Sequence, residues 1–252
     1  MKFFLLFFIP TLALATVRTE KLTYKKNGVT MEGTVAFDDA IKGARPGIVV
    51  FPDWMGKGSY NERRAKELAA LGYVALAADV YGNGFRPKDA AEASETAGKF
   101  KKNRKLMQER ALGALEAVAR DRRVDNTKLG AIGYCFGGTV ALELAREGAP
   151  LKGVVSFHGG LESPSDIHDL HAKILVLHGA DDPYVKKDEV AEFQKEMTDI
   201  KADWQMVYYA NAVHAFTNPD AGEDNKTGAA YNKLADQRSW IAMKDFFEET
   251  FK

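Results

Sequence analysis

The chain has 252 residues, 46% hydrophobic and 28% charged, enough to bury a full core as one large α/β domain or two small ones. Lys plus Arg and Asp plus Glu both number 35, so the formal net charge is zero, which speaks against nucleic acid or an anionic membrane as a partner. A single cysteine, Cys135, excludes an internal disulfide framework.

The first fifteen residues read as a targeting segment. Lys2 is a short positive region, residues 3–13 are almost wholly apolar, and Ala13-Leu14-Ala15 is an A-x-A cleavage pattern. The expectation is a cleavable signal peptide over 1–15, a single mature domain over 16–252, and export to the periplasm or out of the cell. No stable membrane insertion is expected after cleavage, because the apolar run is too short to span a bilayer comfortably. An uncleaved anchor is the alternative reading of the same run.

Residues 21–24 and 30–37 flank Asn27-Gly28, a strong hairpin signal. Residues 47–51 are a continuous apolar run, as in a strand covered on both faces. Beyond Asp53-Trp54-Met55-Gly56, Ser59-Tyr-Asn-Glu62 reads as a capping box opening a helix that ends at Gly72. Residues 73–78 are the next buried strand, followed by a loop through Asn83 and Arg86. Helices are predicted over 90–99 and 103–120, then a strand over 129–132 that turns into a helix ending at Arg146. Strands follow over 151–157 and 174–178, a helix over 188–198, a strand over 204–208 and a long amphipathic helix over 229–251. Buried strands alternating with helices specify an α/β class with a mostly parallel central sheet covered by helices on both faces.

Ligands of such sheets bind beyond the carboxyl ends of the strands, so catalytic residues should follow strands. Asp53, Asp79, Cys135, the pair Asp181 and Asp182, and His214 all do. Gly133-Tyr-Cys-Phe-Gly137, between strand and helix, is a G-x-S-x-G nucleophile elbow with cysteine in place of serine. Side chains at Gly133 and Gly137 would collide with the neighbouring strand and helix, and the helix N-terminus favours thiolate over thiol. A lone G-x-C-x-G also fits a buried structural cysteine in an ordinary turn. The order nucleophile, acid, histidine favours chemistry: Cys135 as nucleophile, His214 as base, and Asp182 holding the imidazole tautomer. Asp181 is the adjacent alternative for the acid. His158, His168, His171 and His178 compete for the base but precede the acid. The backbone N–H of Phe136 suits an oxyanion donor, as it follows the nucleophile and opens the helix. Asp79 is expected to cap its loop or the next helix, and the basic run 99–105 to be a solvated helix face. Trp54, Tyr81, Phe85, Phe136 and Phe216 are strand-end aromatics that either line an apolar pocket or simply pack.

Four segments together resemble the dienelactone hydrolase family: Gly133-Tyr-Cys-Phe-Gly-Gly138, Gly179-Ala-Asp-Asp-Pro-Tyr-Val185, Val213-His-Ala-Phe-Thr-Asn-Pro219 and Leu71-Gly-Tyr-Val-Ala-Leu-Ala-Ala-Asp-Val-Tyr-Gly82. They occur in order over most of the chain. The resemblance implies an α/β-hydrolase fold, a triad of Cys135, His214 and Asp182, and no metal or organic cofactor. It sets the G-x-x-D pattern on Asp182, matches the oxyanion-hole amides to Phe136 and Trp54, and puts Asp53 where relatives carry a glutamate that contacts the resting cysteine. Characterised members clamp a lactone carboxylate with two arginines, whose positions here hold Asn83 and Asn218, with Arg86 three residues past the first. Tyr81, Asn83, Arg86, Phe216 and Asn218 are the pocket residues this implies. The expected activity is hydrolysis of a small-molecule ester, lactone or thioester through an acyl-cysteine, by a monomer or weak oligomer. The missing arginine pair also fits a non-catalytic small-molecule binding protein on a hydrolase fold. A redox thiol is the last alternative, and it would need an external resolving thiol.

Overall fold

The structure is a computed structural model that describes residues 16–162, 167 and 170–252. The expected signal segment and His168 lie outside the described residues. In chain order the elements are β1 (Val17–Lys26), β2 (Val29–Asp38), β3 (Arg45–Phe51), α1 (Ser59–Ala70), β4 (Val74–Ala77), α2 (Ala90–Lys102), α3 (Arg104–Ala119), β5 (Val124–Tyr134), α4 (Phe136–Arg146), β6 (Gly153–Phe157), β7 (Lys173–Gly179), α5 (Lys187–Asp199), β8 (Trp204–Tyr209) and α6 (Lys233–Thr250).

The strands form one sheet in the order β1-β2-β4-β3-β5-β6-β7-β8. β1 and β2 pair antiparallel around Asn27-Gly28, whose φ values of 48° and 78° are those a two-residue hairpin turn demands. β2 also pairs antiparallel with β4, and all remaining pairs are parallel. Alternate residues of each buried strand enter opposite cores. Val49 and Phe51 pack with Phe100, Met107, Val140 and Phe193, from α2 to α5, on one face. Ile48 and Val50 pack with Leu68 of α1 and with Met243 and Phe247 of α6 on the other. Both faces are covered, which is why these strands read as unbroken apolar runs and not as alternating ones.

Two glycines in adjacent strands explain how α6 docks. A Cβ at Gly130 of β5 would sit 2.8 Å from the Phe247 ring, and one at Gly153 of β6 would sit 2.8 Å from the Phe246 ring. The bare backbone lets the α6 aromatics lie directly on the sheet.

Three sequence expectations need correction. The N-cap of α1 is Gly58, and the Asn61 side chain accepts its N–H at 2.9 Å. Glu62, the expected capping residue, instead accepts from Lys57 and from the Thr34 hydroxyl. The final helix begins at Lys233 and not at 229, because Asn232 accepts the Ala235 N–H as a side-chain cap. β5 begins at Val124, five residues before the apolar run, its polar first half pairing with Arg45 and Pro46.

Candidate active site

The site grows from the junction of β5 and α4. Cys135 has φ 54° and ψ −120°, and forms the N-cap of α4. That conformation is costly for a residue with a side chain and survives only where its surroundings fix it. The flanking glycines do so by close approach. A Cβ on Gly133 would lie 1.9 Å from the Gly137 carbonyl oxygen, and one on Gly137 would lie 2.3 Å from the Phe51 carbonyl oxygen. Gly138 is packed as tightly, with Ser156 Oγ 2.5 Å from its would-be Cβ. The thiol therefore sits on a tight turn above the sheet, half-buried, at the positive end of α4.

The other expected residues converge on it from the ends of β3, β7 and β8. His214 Nδ1 is 2.8 Å from Asp182 Oδ2, and the Asp182 side chain is fully buried. Asp182 Oδ1 accepts the Tyr184 N–H at 2.8 Å, which fixes the carboxylate. Asp181, the rival acid, is exposed, and the His214 bond goes to its buried neighbour. Burial opposes a proton on His214, but the negative charge on Cys135 and the Asp182 hydrogen bond outweigh it, and its pKa is raised to about 10.

The competing histidines are otherwise engaged. His158, buried at φ 40°, accepts the Cys135 N–H on Nδ1 at 3.1 Å and bonds the Thr217 hydroxyl through Nε2 at 2.8 Å. Burial holds its pKa well below the ordinary histidine value. His178 is buried against the edge of Tyr208, and burial lowers its pKa as well. His171 is exposed beyond β6, outside the cavity that Cys135 lines.

Cys135, His214 and Asp53 share one cavity of about 590 Å³, with Trp54, Met55, Phe136, Tyr184, Val185 and Asn218 also among its lining residues. Asp53 does not hydrogen-bond Cys135 among the described residues. Its Oδ1 instead accepts the Met55 N–H at 2.8 Å, as its shorter side chain curls back on its own loop. Burial raises its pKa, against the Met55 bond and the His214 charge. Phe136 is the first residue of α4, where an N–H has no carbonyl one turn back to bond. Trp54 lies across the cavity on the loop after β3, and its carbonyl accepts the Tyr81 hydroxyl at 2.7 Å.

Most of the expected pocket residues stand elsewhere. Of Tyr81, Asn83, Arg86, Phe216 and Asn218, only Asn218 lines the cavity. Arg86 is held by an ion pair to buried Asp79 and a bond to the Phe85 carbonyl. Asn83 occupies a left-handed turn tied to Thr30. Phe216 is fully buried beneath His158, and Tyr81 supports the Trp54 loop from below. Asp79 caps its loop as expected, accepting the Gly82 N–H, but Asp89 caps α2.

Sequence reasoning missed the α2 wall. Ser94, Ala97, Gly98 and Lys101 line the cavity, spaced as one helical stripe, so the basic run is only partly a solvated face. The cue was present: small residues at 94, 97 and 98 interrupt the charged pattern on that side of the helix.

The family model for the dienelactone hydrolase family matches residues 31–251. The chain belongs to the dienelactone hydrolase family. Among relatives, a probable 2-oxo-3-(5-oxofuran-2-ylidene)propanoate lactonase of a Bradyrhizobium species is 30% identical over 212 residues, 79% of this chain and 82% of that protein. An uncharacterized Caenorhabditis elegans protein is 37% identical over 150 residues, 57% of this chain and 91% of its own. Among solved structures, a dienelactone hydrolase-like promiscuous phosphotriesterase from metagenomic libraries is 41% identical with a TM-score of 0.89, covering 94% of this chain and 99% of that one. Acylaminoacyl peptidase of Pyrococcus horikoshii, 16% identical, superposes with a TM-score of 0.70 over 95% of this chain and 43% of its own, a likeness of fold alone. The architecture of this dienelactone hydrolase family member is the α/β-hydrolase fold, with the junction that carries Cys135 at the centre of its sheet.

Proposed function

We propose that this protein hydrolyses a small ester, lactone or thioester through an acyl-cysteine intermediate. The observation that carries the reading is the buried Asp182–His214 bond, with His214 and Cys135 electrostatically coupled in one cavity. Cys135 thiolate attacks the acyl carbon, and its electron pair forms the C–S bond as the carbonyl π electrons move to oxygen. The amides of Phe136 and Trp54 are the donors suited to that oxyanion. Collapse expels the alkoxide or thiolate leaving group, which takes its proton from His214. A water then gives its proton to His214, attacks the thioester and releases the acid. Asp182 keeps Nδ1 protonated throughout, so Nε2 is the nitrogen that shuttles the proton.

The cavity favours substrates without a clamped carboxylate. Lys101 is its one lysine or arginine among the described residues, and an ion pair to Glu162 at 3.8 Å already engages it. Aryl and short-chain esters and neutral lactones are therefore placed ahead of the carboxylate-bearing dienelactone. The similarity to a promiscuous phosphotriesterase adds uncharged phosphotriesters to the substrates worth assaying.

Initial rates on such a panel test the reading. Cys135→Ala should lower kcat/KM by about a thousand-fold or more. Turnover that survives the substitution would remove Cys135 from the mechanism, and a folded wild type inert on every substrate would favour the binding-protein alternative.

A further inference from the structure

His158 looks at first like a spare base. Its ring is 5.3 Å from that of His214, edge to face, and it lines the same cavity. Its bonding excludes that role. The Cys135 N–H is a donor, so Nδ1, at 3.1 Å, must be an acceptor carrying no proton. The ring proton is thereby confined to Nε2, which donates to Thr217 Oγ1 at 2.8 Å. Thr217 Oγ1 in turn is 2.6 Å from the Tyr60 hydroxyl, and Tyr60 donates onward to the Thr217 carbonyl at 3.2 Å. Arg64 closes the network, donating to the same carbonyl at 2.9 Å and pairing with Asp236 of α6. Every proton in this chain has one consistent direction.

We propose that His158 is a positioning residue that acts as the neutral acceptor fixing the nucleophile's own amide, and so ties the Cys135 turn to the loop that carries His214. The Cys135 N–H is shared between the Phe157 carbonyl at 3.0 Å and His158 Nδ1. Two acceptors on one donor over-determine a residue whose backbone is otherwise unfavourable. His158 itself adopts φ 40°, a conformation that turns the end of β6 toward the Cys135 turn. Thr217 lies three residues past His214, so one imidazole clamps both halves of the catalytic pair. Protonation of His158 would set Nδ1–H against the Cys135 N–H and add a buried cation beside His214, so the clamp works only as a neutral ring. The inference rests on the cysteine-hydrolase reading for its catalytic meaning, but not for its geometry.

Two near-isosteric substitutions separate the two nitrogens. Asn places a carbonyl oxygen where Nδ1 stands and tolerates positive φ, while Gln reaches the Nε2 position but leaves the Cys135 amide with one acceptor. His158→Asn keeps the acceptor for the Cys135 amide but gives up the tie to Thr217, so it should lose about three-fold in kcat. His158→Gln and His158→Phe, which leave that amide with one acceptor, should lose about ten-fold or more with KM little changed. Iodoacetamide alkylation of Cys135 at pH 7 should fall in the same order, and it reads the thiol without any substrate. Nitrogen-15 NMR of the wild-type imidazoles needs no variant and should show His158 neutral with its proton on Nε2. A proton on Nδ1, or Gln performing as well as Asn in both kcat and alkylation, would overturn the proposal. Loss of the hydrolase reading itself would show separately, as activity that survives Cys135→Ala.

Discussion

His214 lies between the Asp182 carboxylate and Cys135, the nucleophile of the proposed mechanism, and in that mechanism this placement fixes the pH range in which the pair can work. Its pKa is raised to about 10, with burial opposing the proton and the Cys135 charge and Asp182 bond prevailing. A raised pKa means the imidazolium persists through neutral pH and is lost only as pH climbs through about 10. In the proposed mechanism the proton for the leaving group is then available across the neutral range, and kcat/KM should decline on its alkaline side near pH 10 instead of near the ordinary histidine value of about 6.5. Cys135→Ala removes the largest favourable contribution, so the His214 titration followed by NMR should drop toward that ordinary value. An unmoved midpoint would mean that the two side chains are not coupled. At this scale the meeting of Cys135 and His214 was legible from strand-end positions and chain order, whereas Asp182 was separated from its neighbour Asp181 only by the family resemblance. His158 was legible only as a histidine out of order. Its bonding depends on a positive φ after β6 that no local sequence signal announces, since neither neighbour forces it.

The turn between β5 and α4 and the helix α2 hold glycines of opposite meaning. Gly137 packs where a methyl group would meet the Phe51 and Pro52 carbonyl oxygens at 2.3 and 2.4 Å. Gly137→Ala must therefore displace the end of β3, which carries Asp53 and Trp54, and should cost about a hundred-fold or more in kcat/KM, the scale of a small misplacement at the reacting atoms. Gly98 sits inside α2, where an added Cβ would meet nothing within 4 Å. Gly98→Ala should raise stability by about 0.5–1 kcal/mol through helix propensity alone, measured by urea unfolding, and leave short-chain ester hydrolysis nearly intact. A loss of stability there would show that the cavity wall is more constrained than its contacts indicate. The G-x-C-x-G spacing exposed the first glycine in advance. The second was hidden because mid-helix glycine signals only reduced propensity, and its place on the cavity depends on how α2 packs on α3 and, through Phe100, on Phe136. Helix ends were read less well than helix bodies: Gly58 and Asn61 cap α1 in place of the more conspicuous Ser59 and Glu62.

Across the whole molecule, the order of strands and helices was readable because apolar runs that need cover on both faces leave few arrangements open. What the pattern concealed is the ionic knot that joins α3, α4 and α5. Arg146, 1% exposed at the end of α4, bonds both Glu196 oxygens from α5 at 2.7 and 2.6 Å, Glu143 at 2.8 Å and the Glu162 carbonyl at 3.0 Å. Arg104 of α3 joins it through Glu143 at 3.1 Å and the same carbonyl at 2.9 Å. In sequence, Arg146 looks like an ordinary basic residue complementing a helix C-terminus, since its partners are 3 and 50 residues away. The knot joins three helices to the segment after β6, yet none of its members lines the cavity. Its failure should consequently appear in stability before it appears in chemistry. Arg146→Met would leave Glu143 and Glu196 buried with their main partner gone, at a cost of about 3–5 kcal/mol. Because Arg104 still reaches Glu143, the lower end of that range is expected. Urea unfolding should record the loss while kcat at 25 °C on a short-chain ester stays within about three-fold of wild type. A variant as stable as the wild type would mean that the buried pair barely offsets its own desolvation. One that kept its stability but lost kcat would mean that the helices transmit strain from this knot to the Cys135 turn.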